Sequence, residues 1–352
     1  MIAHYLDHYD DARADFLQKG KNLAAKQWAL PLAATGPDGL ELSIDIAWIG
    51  PPQATRALIH CSGLHGIEGV CGSAIQRALM ADLPALPPDT ALILVHAMNP
   101  YGWSWRRRVN ESNVDLNRNF LAPNRPYEGA PDGYAEMDRL LNPPSPPSMD
   151  FYYPRAAWSV LRHGFNSLKQ AVVGGQYAFP KGLFFGGAQL EEGPTAYSAW
   201  VAENLQDLER LVVLDIHTGL GPTAYDTLLV DVPARSPQEA TLAQAFQHEV
   251  VPWDPDAGVA YAIEGAHMSL YERLLSARTN TVTQEFGTRK SLAVLKALRE
   301  ENRLHLHGQP AIDHPAKVAM LETFAPTNKA WRSEVLERGL RVANQALALL
   351  TD

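Results

Sequence analysis

Cysteine is almost missing from this chain: its 352 residues include only Cys61 and Cys71. Two thiols cannot staple a disulfide scaffold, so the fold has to come from a conventional apolar core. Both are expected as small buried thiols, although they flank a His-x-x-Glu segment, where a bridge or a metal would be the other reading. Positive charge is also scarce, with 30 Lys and Arg against 39 Asp and Glu and a net charge of −9. That balance argues against a nucleic-acid partner, and Arg106-Arg107-Arg108 is too short a run to track phosphates. No apolar stretch approaches the ~20 residues of a membrane-spanning helix. The first residues, Met1 to His8, have neither the basic start nor the apolar centre of a signal peptide. The expectation is a soluble cytoplasmic protein with no membrane partner; its oligomeric state stays open.

What is present is ordinary in bulk, 46% hydrophobic and 20% charged, as in folded soluble proteins. Length alone suggests about two domains, but α/β enzymes often run longer as one unit, so one domain over 1–352 is expected. Residues 6–26 have near-helical apolar spacing. Leu40 to Ile49 alternates, with Leu40, Leu42, Ile44 and Ile46 apolar, as a strand does. Short apolar runs follow at Ala57–Cys61, Ala91–His96, Leu211–Ile216, Thr227–Val232 and Asn280–Gln284. Helical patterns stand between and after them, roughly at 70–81, 195–210, 236–250, 268–277, 291–305 and 330–350. Such alternation predicts an α/β fold, a mixed and largely parallel sheet with helices on both faces. The stretch 121–195 differs, being dense in Pro, Gly and aromatics, and reads as an insertion of long loops with some helix, a possible lid.

Ligands of parallel sheets bind outside the carboxyl ends of the strands. His65 and Glu68 follow one strand, His217 ends a second, Glu285 ends a third, and Asn99-Pro100 follow a fourth. Two imidazoles and a carboxylate make a Zn²⁺ set with an open fourth position. Metal-assisted amide hydrolysis also needs a base, a cation facing the carbonyl oxygen, and groups that hold the substrate. Glu285 would be the base, one of Arg106, Arg107 and Arg108 the cation, and Asn117 with Arg118 the carboxylate clamp. Asp215, two residues before His217, is expected to point to the opposite face as a hydrogen-bonding core carboxylate. His305 and His307 are expected to be a helix-terminal feature and no second metal site.

Asn99-Pro100-Tyr101-Gly102, then Arg108-Val109-Asn110 and Val114-Asp115-Leu116-Asn117-Arg118-Asn119-Phe120, resemble the zinc metallocarboxypeptidase superfamily. The branch of desuccinylases and aspartoacylases shares the His-x-x-Glu and Asp-Leu-Asn-Arg elements. The resemblance covers residues 57–287 and includes the order of the motifs. It implies His65, Glu68 and His217 as zinc ligands, Glu285 as base and Arg108 as the arginine facing the oxyanion. Asn117 and Arg118 match the pair that binds a terminal carboxylate, and Tyr261 stands where the family has a mobile tyrosine, though its local motif departs. The implied activity is zinc-dependent cleavage of an amide beside a free carboxylate, on a short peptide or small molecule. A carboxypeptidase-like metallopeptidase, an N-acyl amino acid deacylase and a non-catalytic binding protein that keeps the fold are the three readings.

Overall fold

The computed structural model describes residues 2–164, 174–253 and 264–351. Its strands are β1 (Lys26–Thr35), β2 (Glu41–Ile49), β3 (Arg56–Cys61), β4 (Thr90–His96), β5 (Arg210–Thr223), β6 (Asp226–Val230), β7 (Val250–Pro252) and β8 (Arg278–Gly287). They form one eight-stranded sheet in the order β1-β2-β4-β3-β5-β8-β6-β7. The four central strands β4, β3, β5 and β8 run parallel to one another. Antiparallel pairings lie towards the edges, between β1 and β2, β2 and β4, and β6 and β8. This is the mixed, largely parallel α/β sheet that the alternating sequence predicts.

The helices, in chain order, are α1 (Tyr9–Asn22), α2 (Gly69–Ala81), α3 (Pro100–Ser104), α4 (Tyr134–Leu141), α5 (Tyr152–His163) and α6 (Glu192–Asn204). There follow α7 (Pro237–Phe246), α8 (Ser269–Leu274), α9 (Ser291–His307), α10 (Pro315–Phe324) and α11 (Lys329–Ala348). Both faces of the central strands are covered, which explains their unbroken apolar runs. Leu58, Val212, Leu214 and Val282 face one apolar cluster with Phe16, Ile75 and Val335. Ile59, Val213 and Leu211 face the other, with Trp200 and Tyr271. Residues adjacent in a strand alternate between faces, so each strand feeds both clusters. Each such side chain contributes on the order of 1.5–3 kcal/mol by leaving water.

Several expectations shift at their edges. The helix expected over 6–26 is shorter, because the chain already enters β1 at Lys26. The strand expected over Leu40–Ile49 is buried on both faces from Leu42 onwards. Its polar residues are satisfied by α1: Ser43 exchanges hydrogen bonds with Tyr9, and Asp45 accepts from Arg13 at 2.6 Å. Strands β1 and β7 and helices α3 and α10 have no counterpart in the sequence pattern, while α4 and α5 are the helix expected within 121–195.

The segment 121–195 carries α4 and α5 and ends inside α6. It is tied down by α9, whose buried Arg299 donates to the Leu140 carbonyl at 2.6 Å. Arg303, one turn further on, donates to the Ser145 carbonyl at 3.0 Å, and Asp150 accepts from Arg299. Its return limb passes over the sheet rim, where the Asp115 N–H donates to the Phe185 carbonyl at 2.7 Å.

Candidate metal centre

The site is assembled from three neighbouring strand ends. β3 stops at Cys61, and the chain then turns so that His65 precedes a short 3-10 turn, Gly66–Glu68, which leads into α2. Gly66 is needed here for space: a Cβ would lie 2.3 Å from the Gly102 carbonyl carbon, so no side chain fits. The facing turn is fixed by Asn99, whose Oδ1 accepts from the Gly102 N–H at 2.8 Å while its Nδ2 donates to the Arg108 carbonyl at 3.1 Å. His217 arrives on β5, and the parallel register places Glu285 of β8 directly beside it.

His65, Glu68 and His217 are all buried, and their donor atoms converge. His65 Nδ1 and His217 Nδ1 are 3.0 Å apart. One oxygen of Glu68 lies 3.2 Å from His65 Nδ1 and the other 3.6 Å from His217 Nδ1. Among the described residues this is the one cluster of three His, Cys, Asp or Glu able to hold a metal. Ligands about 2.0–2.1 Å from a tetrahedral Zn²⁺ lie roughly 3.3 Å from each other, close to these separations.

The opposite ring nitrogens are held by carboxylates, the usual support of a metal-binding histidine. His217 Nε2 donates to Asp215 Oδ2 at 2.9 Å, and His65 Nε2 lies 3.3 Å from Asp115 Oδ1. With Nε2 protonated, His217 turns the lone pair of Nδ1 towards His65 and Glu68. Such a cluster is satisfied by a shared proton or by a cation, and the residues present fit zinc. Asp215 corrects one expectation: residues two apart in a strand share a face, so it stands on the side of His217 and supports it.

Charge is steeply partitioned in this pocket. Burial works to raise Glu68, but His65, His217 and Arg108 outweigh it and hold the carboxyl below its ordinary value. Burial likewise opposes ionisation of Asp115, and Arg108, His65 and Arg118 overcome it, keeping the group well down. His217 goes the other way: burial lowers it, yet Asp215, Glu68 and Glu285 raise it to about 9. Glu285 is pushed up to about 7 by burial and by the charge of Glu68. It accepts from the Leu220 N–H at 2.9 Å. A carboxyl poised near neutrality beside a metal-type cluster is suited to moving protons.

The three consecutive arginines have three different destinations. Arg106, in a left-handed conformation (φ 48°), donates to the Ile312 carbonyl. Arg107 is fully buried and pairs with Glu301 at 3.0 Å and with Asn113 at 2.8 Å. Arg108 alone faces the cluster: Nε donates to Asp115 at 3.0 Å, Nη1 reaches Glu68 at 3.5 Å and Nη2 sits 2.7 Å from His65 Nε2. The Phe184 ring lies 5.4 Å from its guanidinium carbon. The Arg108 contact needs an acceptor at His65 Nε2, whereas support from Asp115 needs a donor there; the two correspond to the two tautomers of His65.

Asn117 keeps a partly exposed side chain whose Oδ1 accepts from the His267 N–H at 3.1 Å. Arg118 has no exposed surface. Its Nη1 donates to the Asn117 carbonyl at 2.7 Å, and Gly175 lies directly over its side chain. Tyr261 falls outside the described residues. Cys61 and Cys71 are free and buried. Sequence reading missed the structural role of His267, which reaches Asp215 from a distant loop and belongs to no motif.

An eight-stranded mixed sheet with this cluster at its strand ends has the fold of the zinc carboxypeptidases. By sequence the chain belongs to the family described as "Protein of unknown function (DUF2817)", which matches residues 5–338. No curated protein sequence matches it. Among solved structures it is similar to carboxypeptidase A from Helicoverpa armigera, with a TM-score of 0.51 and 16% identity over 98% of this chain and 74% of that one. Thrombin activatable fibrinolysis inhibitor gives a TM-score of 0.50 and 10% identity, covering 98% of this chain and 75% of that one. An aspartoacylase family protein from Mesorhizobium loti gives 0.41 and 16% over 80% of this chain and 66% of that one.

Proposed function

We propose that this protein hydrolyses an amide bond next to a free carboxylate, with zinc held by His65, Glu68 and His217. The observation that carries the reading is the convergence of these donor atoms beside Glu285, the register neighbour of His217. Bound zinc would supply a Lewis acid for the amide carbonyl and make water acidic near neutral pH. Glu285 takes the proton from the attacking water and returns it to the leaving nitrogen. Arg108 faces the negative charge that builds on the carbonyl oxygen, and the Asp115 carboxylate holds that guanidinium in place. Asn117 and Arg118 bind the substrate carboxylate, Arg118 as a two-pronged donor. Because Arg118 is roofed by Gly175, that contact requires the cover to shift.

The roof over Arg118 favours a small substrate, either a short peptide trimmed at its C-terminus or an N-acyl amino acid. Tyr261 is the further candidate for substrate contact. The test is metal analysis of the purified protein, followed by turnover of acyl-amino acids against short peptides. Stoichiometric zinc with turnover of one class supports the reading and selects between its two forms. Protein that takes up no zinc ends it, and bound zinc without turnover of either class returns the binding-protein reading.

A further inference from the structure

Behind His217 runs a chain of buried polar groups that the hydrolytic reading leaves without a task. Asp215 Oδ2 receives His217 Nε2 at 2.9 Å and His267 Nδ1 at 3.4 Å. His267 Nε2 lies 3.2 Å from the Tyr271 hydroxyl, which lies 2.8 Å from the hydroxyl of Tyr197. All five side chains are buried. A carboxylate only accepts, so both imidazoles must present N–H to Asp215. That leaves His267 Nε2 to accept from Tyr271, and Tyr271 to accept from Tyr197. Every donor in the chain then points towards the carboxylate that orients His217.

Asp215 depends on this arrangement, because its other oxygen, Oδ1, is buried and has no hydrogen-bond partner among the described residues. His267 therefore supplies one of the two donors that fix the carboxylate. Its own placement is over-determined: its N–H donates to Asn117 Oδ1 at 3.1 Å, and its ring packs 5.2 Å from Phe120 and 5.9 Å from Tyr197. We infer that His267 is a positioning residue of the metal centre, holding Asp215 so that His217 keeps Nδ1 aimed at the ion. This rests on the zinc site proposed above.

The test is metal affinity rather than catalysis, read on the full-length protein by zinc and cobalt titration against a competing chelator, with the visible spectrum of bound Co²⁺ recorded alongside. Loss of a partner of a metal-binding histidine weakens the metal by about 10–100-fold. His267 acts one step further out, so H267F is expected to weaken zinc by roughly 10-fold and to alter the Co²⁺ spectrum. Asn places an N–H near the position of Nδ1 and Gln near that of Nε2. H267N should therefore recover most of the affinity and the wild-type spectrum, and H267Q should not. The Asn and Gln variants keep the comparison sharp if Phe disturbs folding. Wild-type affinity and spectrum in H267F, or equal affinity in H267N and H267Q, overturns the inference while leaving the zinc site standing. Wild-type protein that binds neither ion overturns both.

Discussion

The strand ends and the covering loops of this site are built on different terms. His217 and Glu285 lie in a continuous parallel ladder between β5 and β8, so their relation is set by backbone register. Arg108, Asn117 and Arg118 sit on connecting segments and take their positions from side-chain contacts with Asp115, Phe184, His267 and the Gly175 region. A metal tolerates little misplacement of its ligands, whereas groups that hold a substrate must admit it and let it go. On the proposed reading the register-held half would serve coordination, and the covered half would serve passage.

This contrast can be broken by mutation. The largest effect is expected at the ladder: H217A removes a ligand and should abolish stoichiometric zinc uptake, measured by metal analysis after dialysis. Retained stoichiometric zinc would mean that the ion sits elsewhere. Next comes E285Q, which leaves the ligand set intact and should lower turnover by about 10²–10⁴-fold with zinc affinity unchanged. Unaltered turnover would remove Glu285 from the proton path. On the loop side, G175A places a Cβ 2.6 Å from Arg118 Cδ at a backbone φ of 97°. It should cost on the order of 1–2 kcal/mol in chemical unfolding and raise KM for carboxylate-bearing substrates, leaving zinc affinity unchanged. A fall in zinc affinity would show that the two halves are not separate.

The last test is in pH. His217 is raised from an ordinary 6.5 to about 9. The folded state holds that proton more tightly than the unfolded chain, so the stabilisation is full below about 6.5 and is lost as pH rises through about 9. Zinc must expel the same proton, so its affinity grows across that window. The gap between the melting temperatures with and without zinc should widen from pH 6.5 to pH 9; a constant gap would contradict the placement of the proton on His217.

Much of this architecture was legible because its signals are local. The apolar runs ending at Cys61, Ile216 and Gln284 locate three of the four central strands, and the polar residues just beyond them locate the rim. Edges were harder. β1 carries Pro31 in the middle of its apolar run Trp28–Ala34, which argues against a strand interior; a proline is tolerated there because β1 is at the sheet margin. His65, Glu68 and His217 carry a motif and the fold brings them together, and the arginine of the 106–108 run that faces the cluster is Arg108. His267 carries no motif: its meaning comes from Asp215, 52 positions earlier in the chain, and only folding brings the two together. Asp215 itself was assigned to the wrong face, although the period of a strand places it with His217.

The two buried cysteines give the molecule a pair of internal clocks. Cys61 lies in β3 at the middle of the sheet, and Cys71 lies on α2, its sulfur 3.9 Å from the Phe324 carbonyl at the end of α10. Burial also pushes both thiols up, so neither forms the reactive thiolate in place. A thiol reagent can act only during an excursion that uncovers them, and its rate then reports how often each layer opens. Modification of Cys71 ahead of Cys61 would time the loosening of the helices while the sheet is still shut.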